Sequence, residues 1–167
     1  MSTVARRNPA TIRKDTSKRR AAGKVPRRTD SLRYIESSAL VAALLEHEPG
    51  VLAALRVAGR LITSALTLAE ASRAILRARV TGRLTAEQEA AALTGLQTFQ
   101  RRCAIVAVTE AVLTRAGRRF PVEPIRTLDA VHLATVEMLG EVPPLMTIVT
   151  RDERVCDNAR AMGYALV

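Results

Sequence analysis

The chain has 167 residues, 48% of them apolar, enough for the core of one ordinary domain and too few for two comfortable ones. Its formal charge is +10, yet residues 1–33 hold 11 of the 26 bases against only Asp15 and Asp30, so residues 34–167 carry 15 bases against 14 acids and are nearly neutral. That distribution excludes a folded part that is basic overall, and no run reaches the ~20 apolar residues of a membrane span.

Residues 1–31 repeat Arg and Lys around Pro9, Gly23 and Pro26 and show no apolar periodicity, so they are expected to form a basic leader that is disordered when free. Such an arm can track phosphates, but it lacks any aromatic residue to stack on bases and is not expected to read sequence. The same composition fits a solubilising leader or a start codon placed upstream of the true one. It lacks the apolar core of a secretory signal, and Cys103 and Cys156 have neither CxxC nor His-ligand spacing. Two buried thiols in a reduced, cytoplasmic compartment are expected.

Order is expected from Leu32. Residues 32–36, LRYIE, read as a short strand ended by Glu36; a helix follows, capped by Ser37 or Ser38, facing inward through Leu40, Val41, Leu44 and Leu45, and closed by Pro49-Gly50. A short helix spans 51–58. Residues 61–64 form a strand, and ALTLAEASRAILRARV a helix with Leu66, Ala69, Ile75, Leu76 and Val80 as apolar positions and Glu70 in its first two turns. Thr81-Gly82 breaks the chain, and Thr85 with Gln88 fits a capping box opening a helix to about Arg102, with Ala91, Ala92, Leu96 and Phe99 apolar.

Residues 104–108 read as a strand and 109–119 as a helix; Pro121 to Pro124 make a rigid loop. The next helix, in IRTLDAVHLATVEML, is capped by Thr127 or Leu128, carries Asp129 on its opening turn, and presents Ala130, Val131, Ala134, Val136 and Met138 to a core. Residues 146–149 are a strand, followed at once by Thr150 and Asp152. Glu153 to Met162 form a helix and Tyr164 to Val167 a last edge strand. Short apolar strands alternating with crossover-length helices imply an α/β fold, a parallel sheet covered on both faces.

Sites in open parallel sheets form at the carboxyl ends of strands, and Glu36, Glu70, Asp129 and Asp152 all fall near that edge. Four acids there raise one another's pKa unless a cation or a cluster of bases joins them. An oxygen-only set suits Mg²⁺ or Mn²⁺, since zinc prefers His and Cys that this chain does not cluster. Carboxylates holding such an ion are the arrangement that hydrolyses phosphodiesters, which points to a nuclease. Arg126 serves either as a phosphate contact or as a counter-charge to Asp129. His132 reads as a packed, hydrogen-bonded histidine rather than a general base, and His47, between Glu46 and Glu48, as solvated surface.

The runs YIESSALVAALL, TSALTLAEASRAILRA, RTLDAVHLATVEML and TIVTRDERVCDNARAMGYAL together resemble the PIN domain, specifically the VapC-type toxins of bacterial toxin–antitoxin pairs. The likeness covers residues 32–167, and Arg126 to Ala134 is its most specific piece. It implies a three-layer sandwich with a central, mostly parallel sheet of four or five strands. It also implies a Mg²⁺- or Mn²⁺-dependent endoribonuclease acting on structured RNA such as transfer RNA, neutralised by a cognate antitoxin and commonly a homodimer. Carried over by position, Glu36, Glu70, Asp129 and Asp152 are the catalytic, metal-holding acids, supported by Ser38, Arg126 and Thr150. Glu36 stands where the family usually has Asp; its extra methylene moves the carboxylate in a site where about 0.5 Å matters. The alternative is therefore a PIN-like module with weakened catalysis, kept for binding RNA or protein.

Overall fold

The structure, a computed structural model, describes residues 32–167, so the expected leader at 1–31 lies outside the described residues. The elements run β1 (Leu32–Ile35), α1 (Ser37–Leu45), α2 (Pro49–Arg56), β2 (Arg60–Ser64), α3 (Ala65–Val80), α4 (Ala86–Arg102), β3 (Ala104–Val106), α5 (Glu110–Ala116), α6 (Thr127–Met138), β4 (Met146–Val149), α7 (Glu153–Ala161) and β5 (Ala165–Leu166). The strands form one sheet in the order β3-β2-β1-β4-β5, and all four pairings are parallel. Tyr34 lies opposite Ile62 on one side and Ile148 on the other, which puts β1 at the centre.

The pleat of β1 divides the core. Leu32 and Tyr34 join Ile62, Met146 and Ile148 beneath Val112 of α5, Val131, Leu133 and Val136 of α6, and Val155 of α7. Ile35, Leu61 and Val149 face the other way, against Leu40 of α1, Val51 of α2, Ala71 and Ile75 of α3, and Leu96 and Phe99 of α4. Burying an aliphatic side chain of this kind contributes about 1.5–3 kcal/mol, and both faces of the strands need cover. The expected three-layer α/β sandwich is the result. At Gly95 a Cβ would stand 2.8 Å from Leu44 Cδ2, so glycine there lets α4 lie close against α1.

Several local expectations are corrected. Glu36, not Ser37 or Ser38, is the N-cap of α1: its carboxylate accepts from the Ser38 backbone N–H. Pro49-Gly50 opens α2 instead of closing α1, because proline at the first helical position gives up only a donor that has no helical partner, and the Glu48 carboxylate takes the N–H groups of Gly50 and Val51. Arg126 precedes α6 without a side-chain capping bond, and Thr127 and Leu128 lie inside its first turn.

The inward stripe of α3 is Thr67, Ala71, Ile75 and Ala78, whereas Leu76, Val80 and Ala69 are exposed, as are Ala91 of α4 and Met138 of α6. Neighbouring helices α1 and α4 flank α3 and cover the stripe that runs through Ala71 and Ile75, which leaves Leu76 and Val80 on the open face. The capping box of Thr85 and Gln88 is formed as read. Cys103 and Cys156 are free thiols and half-buried rather than buried. No single described helix is long and apolar enough to cross a membrane; α1 and α2 together have the composition but are bent by 110° and pack into the core.

Candidate active site

Three connections leave the carboxyl edge of the sheet and deliver the polar side chains. β1 ends at Ile35 and passes directly into α1 through Glu36; β2 ends at Ser64 and passes into α3, whose second turn carries Glu70; β4 ends at Val149, followed by Thr150 and by Asp152 as N-cap of α7. Asp129 arrives from outside this pattern, on the first turn of α6. Glu36, Glu70, Asp129 and Asp152 line one pocket of about 310 Å³, together with Ser37, Ser38, Arg126, Thr127 and Leu128. Every acid singled out in the sequence therefore reaches the same cavity.

Glu36 is 3% exposed and thoroughly held. The Ser37 hydroxyl donates to Oε1 at 2.5 Å. Oε2 accepts from the Ser38 N–H at 2.9 Å, from Thr150 Oγ1 at 2.8 Å, and from the Ser38 hydroxyl. With about two acceptor positions per carboxylate oxygen, Oε2 is saturated and Oε1 keeps room for one more partner. The hydroxyls expected beside the acids thus act first on Glu36. Ser38 Oγ also accepts from the Arg151 N–H at 2.7 Å, and Thr150 Oγ1 from the Asp152 N–H at 3.1 Å, which ties the loop after β4 to the loop after β1.

Asp129 is treated differently. Its Oδ2 is buried and has no hydrogen-bond partner among the described residues. Burial pushes the carboxyl up from its ordinary value, the charges of Asp152 and Glu36 push the same way, and nearby Arg126 only partly opposes them. Arg126 is exposed and lines the same pocket. Asp152 spends Oδ1 on the N–H groups of Arg154 at 2.8 Å and Val155 at 3.3 Å.

The tightest grouping includes a residue the sequence reading set apart from the acids. Ligand atoms of Glu36, Glu70 and His132 all lie within 4.8 Å of one another, while Asp129 and Asp152 line the pocket outside that group. His132 is 1% exposed. Its Nε2 lies 2.7 Å from Glu70 Oε2 and 3.6 Å from Glu36 Oε1, and its Nδ1 lies 2.8 Å from the Tyr34 hydroxyl. Burial, followed by the Glu36 charge, pushes the Tyr34 phenol far above its usual range, so the hydroxyl keeps its proton. Sequence reading missed Tyr34 and took Ser37 only as a helix cap. The signal for Tyr34 is two-residue alternation, which sets it on the same face of the chain as Glu36; His132 follows Asp129 by three and shares its helix face.

The residues fit a hard divalent cation. An unpartnered buried carboxylate oxygen, a second acid with one acceptor position left and two further acids all offer oxygen to one small cavity. No sulfur donor is among the lining residues.

Comparison with known proteins identifies the family. The family model for the PIN domain matches residues 33–161. The chain is 38% identical over 138 residues to ribonuclease VapC35 of Mycobacterium tuberculosis, covering 80% of this chain and 94% of that protein. It is 36% identical over 136 residues to ribonuclease VapC46 of the same organism, covering 80% and 95%. Among solved structures, VapBC2 from Rickettsia felis bound to a promoter DNA fragment superposes with a TM-score of 0.58 at 14% identity, covering 81% of this chain and 97% of that one. PAE2754 from Pyrobaculum aerophilum gives 0.56 at 20% identity, covering 83% and 92%. With a matching family model over most of its length and relatives above one-third identity, the chain belongs to the PIN domain family, and within it to the VapC type.

Proposed function

We propose that the protein is a Mg²⁺- or Mn²⁺-dependent endoribonuclease, a toxin that cleaves structured RNA such as transfer RNA and is neutralised by a cognate antitoxin. The observation that carries this reading is the buried, unpartnered Oδ2 of Asp129 in a pocket shared with three other acids. Its RNA substrate is favoured by the ribonuclease names of the relatives. Asp129, Glu36 through Oε1, Glu70 and Asp152 would hold the ion. When bound, a divalent cation supplies Lewis acidity, which lowers the pKa of a water and offsets charge developing on the phosphate. Ser38 and Thr150 hold Glu36 in place; Arg126 at the rim binds and orients the phosphate.

The antitoxin partner fits the groove between α1, α2 and α4, lined by Leu40, Leu44, Leu52, Leu55 and Phe99 with Arg56 and Arg102 at its rim. An amphipathic helix with acidic flanks matches that surface. A homodimer is implied by the resemblance alone, and light scattering on the purified chain tests it.

A second reading is favoured by the four hydrogen bonds that Glu36 already accepts, three of them on Oε2: a PIN-type module kept for binding, its first acid engaged mainly by the protein. Divalent-dependent digestion of total RNA separates the two. The nuclease reading expects cleavage by the unaltered protein, lost in EDTA and in Asp129→Asn. Cleavage that appears only after Glu36→Asp would establish the binding module instead.

A further inference from the structure

We propose that Tyr34 and His132 are positioning residues that set Glu70 for the divalent ion, through a chain of hydrogen bonds running from the Tyr34 hydroxyl through the His132 ring to the Glu70 carboxylate. It rests on the reading that the acidic pocket binds a divalent cation.

A carboxylate only accepts hydrogen bonds, so the 2.7 Å contact between Glu70 Oε2 and His132 Nε2 requires the hydrogen on Nε2. Nδ1 then accepts from Tyr34 at 2.8 Å, which uses the phenolic hydrogen and selects the tautomer. These hydrogens are assigned from their partners. Each link has a place in the fold. Tyr34 is on the central strand, 1% exposed, and His132 is in the middle of α6 with its ring edge-on to the phenol at 66°. Glu70 is the least buried member, with its side chain 25% exposed. A half-free glutamate on α3 thus takes its position from two buried rings on other elements.

The same contact argues against His132 as a ligand. A bare Nε2 would set a lone pair against a carboxylate oxygen at 2.7 Å, where the geometry is that of a donor. Buried partners of this kind, donating to the acids that hold an ion, typically govern about 10–100-fold in metal affinity.

The test is the Kd for Mn²⁺ of the purified full chain, read from the electron paramagnetic resonance signal of free Mn²⁺, for wild type, Tyr34→Phe, His132→Gln, His132→Ala and Asp129→Asn. Circular dichroism checks the fold of each. Tyr34→Phe is expected to weaken Mn²⁺ about tenfold. His132→Ala is expected to weaken it at least as much, with His132→Gln, which keeps an N–H donor toward Glu70, recovering part of the loss. A residue that only packs would lower the melting temperature and leave the Kd alone. Wild-type affinity in both Tyr34→Phe and His132→Ala, with binding lost in Asp129→Asn, would overturn this inference and leave the cation site standing. Binding lost in His132→Gln but intact in Tyr34→Phe would make His132 a ligand and also overturn it. Unchanged binding in Asp129→Asn would remove the cation site and the inference together.

Discussion

Glu36 receives hydrogen bonds from Ser37, Ser38 and Thr150, whereas Asp129 Oδ2, lining the same pocket, receives none among the described residues. One corner of the site is stabilised by the protein itself. The other holds a carboxylate whose burial and like-charged neighbours disfavour its ionised form, the electrostatic condition a cation relieves. The contrast separates two tasks that a list of acids merges: Glu36 anchors the loops after β1 and β4, and Asp129 is the strongest candidate for direct contact with an ion.

The largest expected effect breaks the Asp129 corner. Asp129→Asn keeps the shape and removes the charge, and RNA cleavage is expected to fall by more than the ~100-fold that loss of an outer partner costs. A rate within a fewfold of wild type in saturating Mg²⁺ would reverse the roles of the two corners. Next comes the anchored corner. Thr150→Val removes one of the three donors to Glu36 Oε2 and the acceptor of the Asp152 N–H, at a residue 2% exposed, so urea denaturation should show a loss of about 1–3 kcal/mol.

The smallest effect sharpens the contrast through pH. Because the folded-state pKa of Asp129 is raised, its contribution to stability is fully present below the unfolded value of 3.8 and is lost as pH rises through the folded value. Without added metal, Asp129→Asn should therefore melt higher than wild type at neutral pH, with the gain disappearing in acid. A gain equal at both pH values would mean that the charge is not the cause.

Much of this arrangement was legible in the residues. The order of strands and helices, the capping box of Thr85 and the placing of four acids at one edge of a parallel sheet follow from local patterns that tertiary packing did not override. The helix starts at Glu36 and Pro49 were misplaced because the glutamate that caps α1 is held in place partly by one hydroxyl, Thr150, 114 residues away in sequence, and because Pro-Gly marks a stop and a start with the same letters. Met138, Leu76 and Val80 look like core by composition, yet which face of a helix is covered depends on its neighbours. The link from Tyr34 to Glu70 passes through a residue 98 positions from the first, a distance no local spacing reports.

The most direct measurement is anomalous scattering from crystals of the full chain grown with Mn²⁺. The account predicts a peak in the acidic pocket in direct contact with Asp129 Oδ2, with Glu36 still bound by Ser38 and Thr150. A pocket without a peak at a Mn²⁺ concentration that supports RNA cleavage, or an ion bound only at the surface, would contradict it.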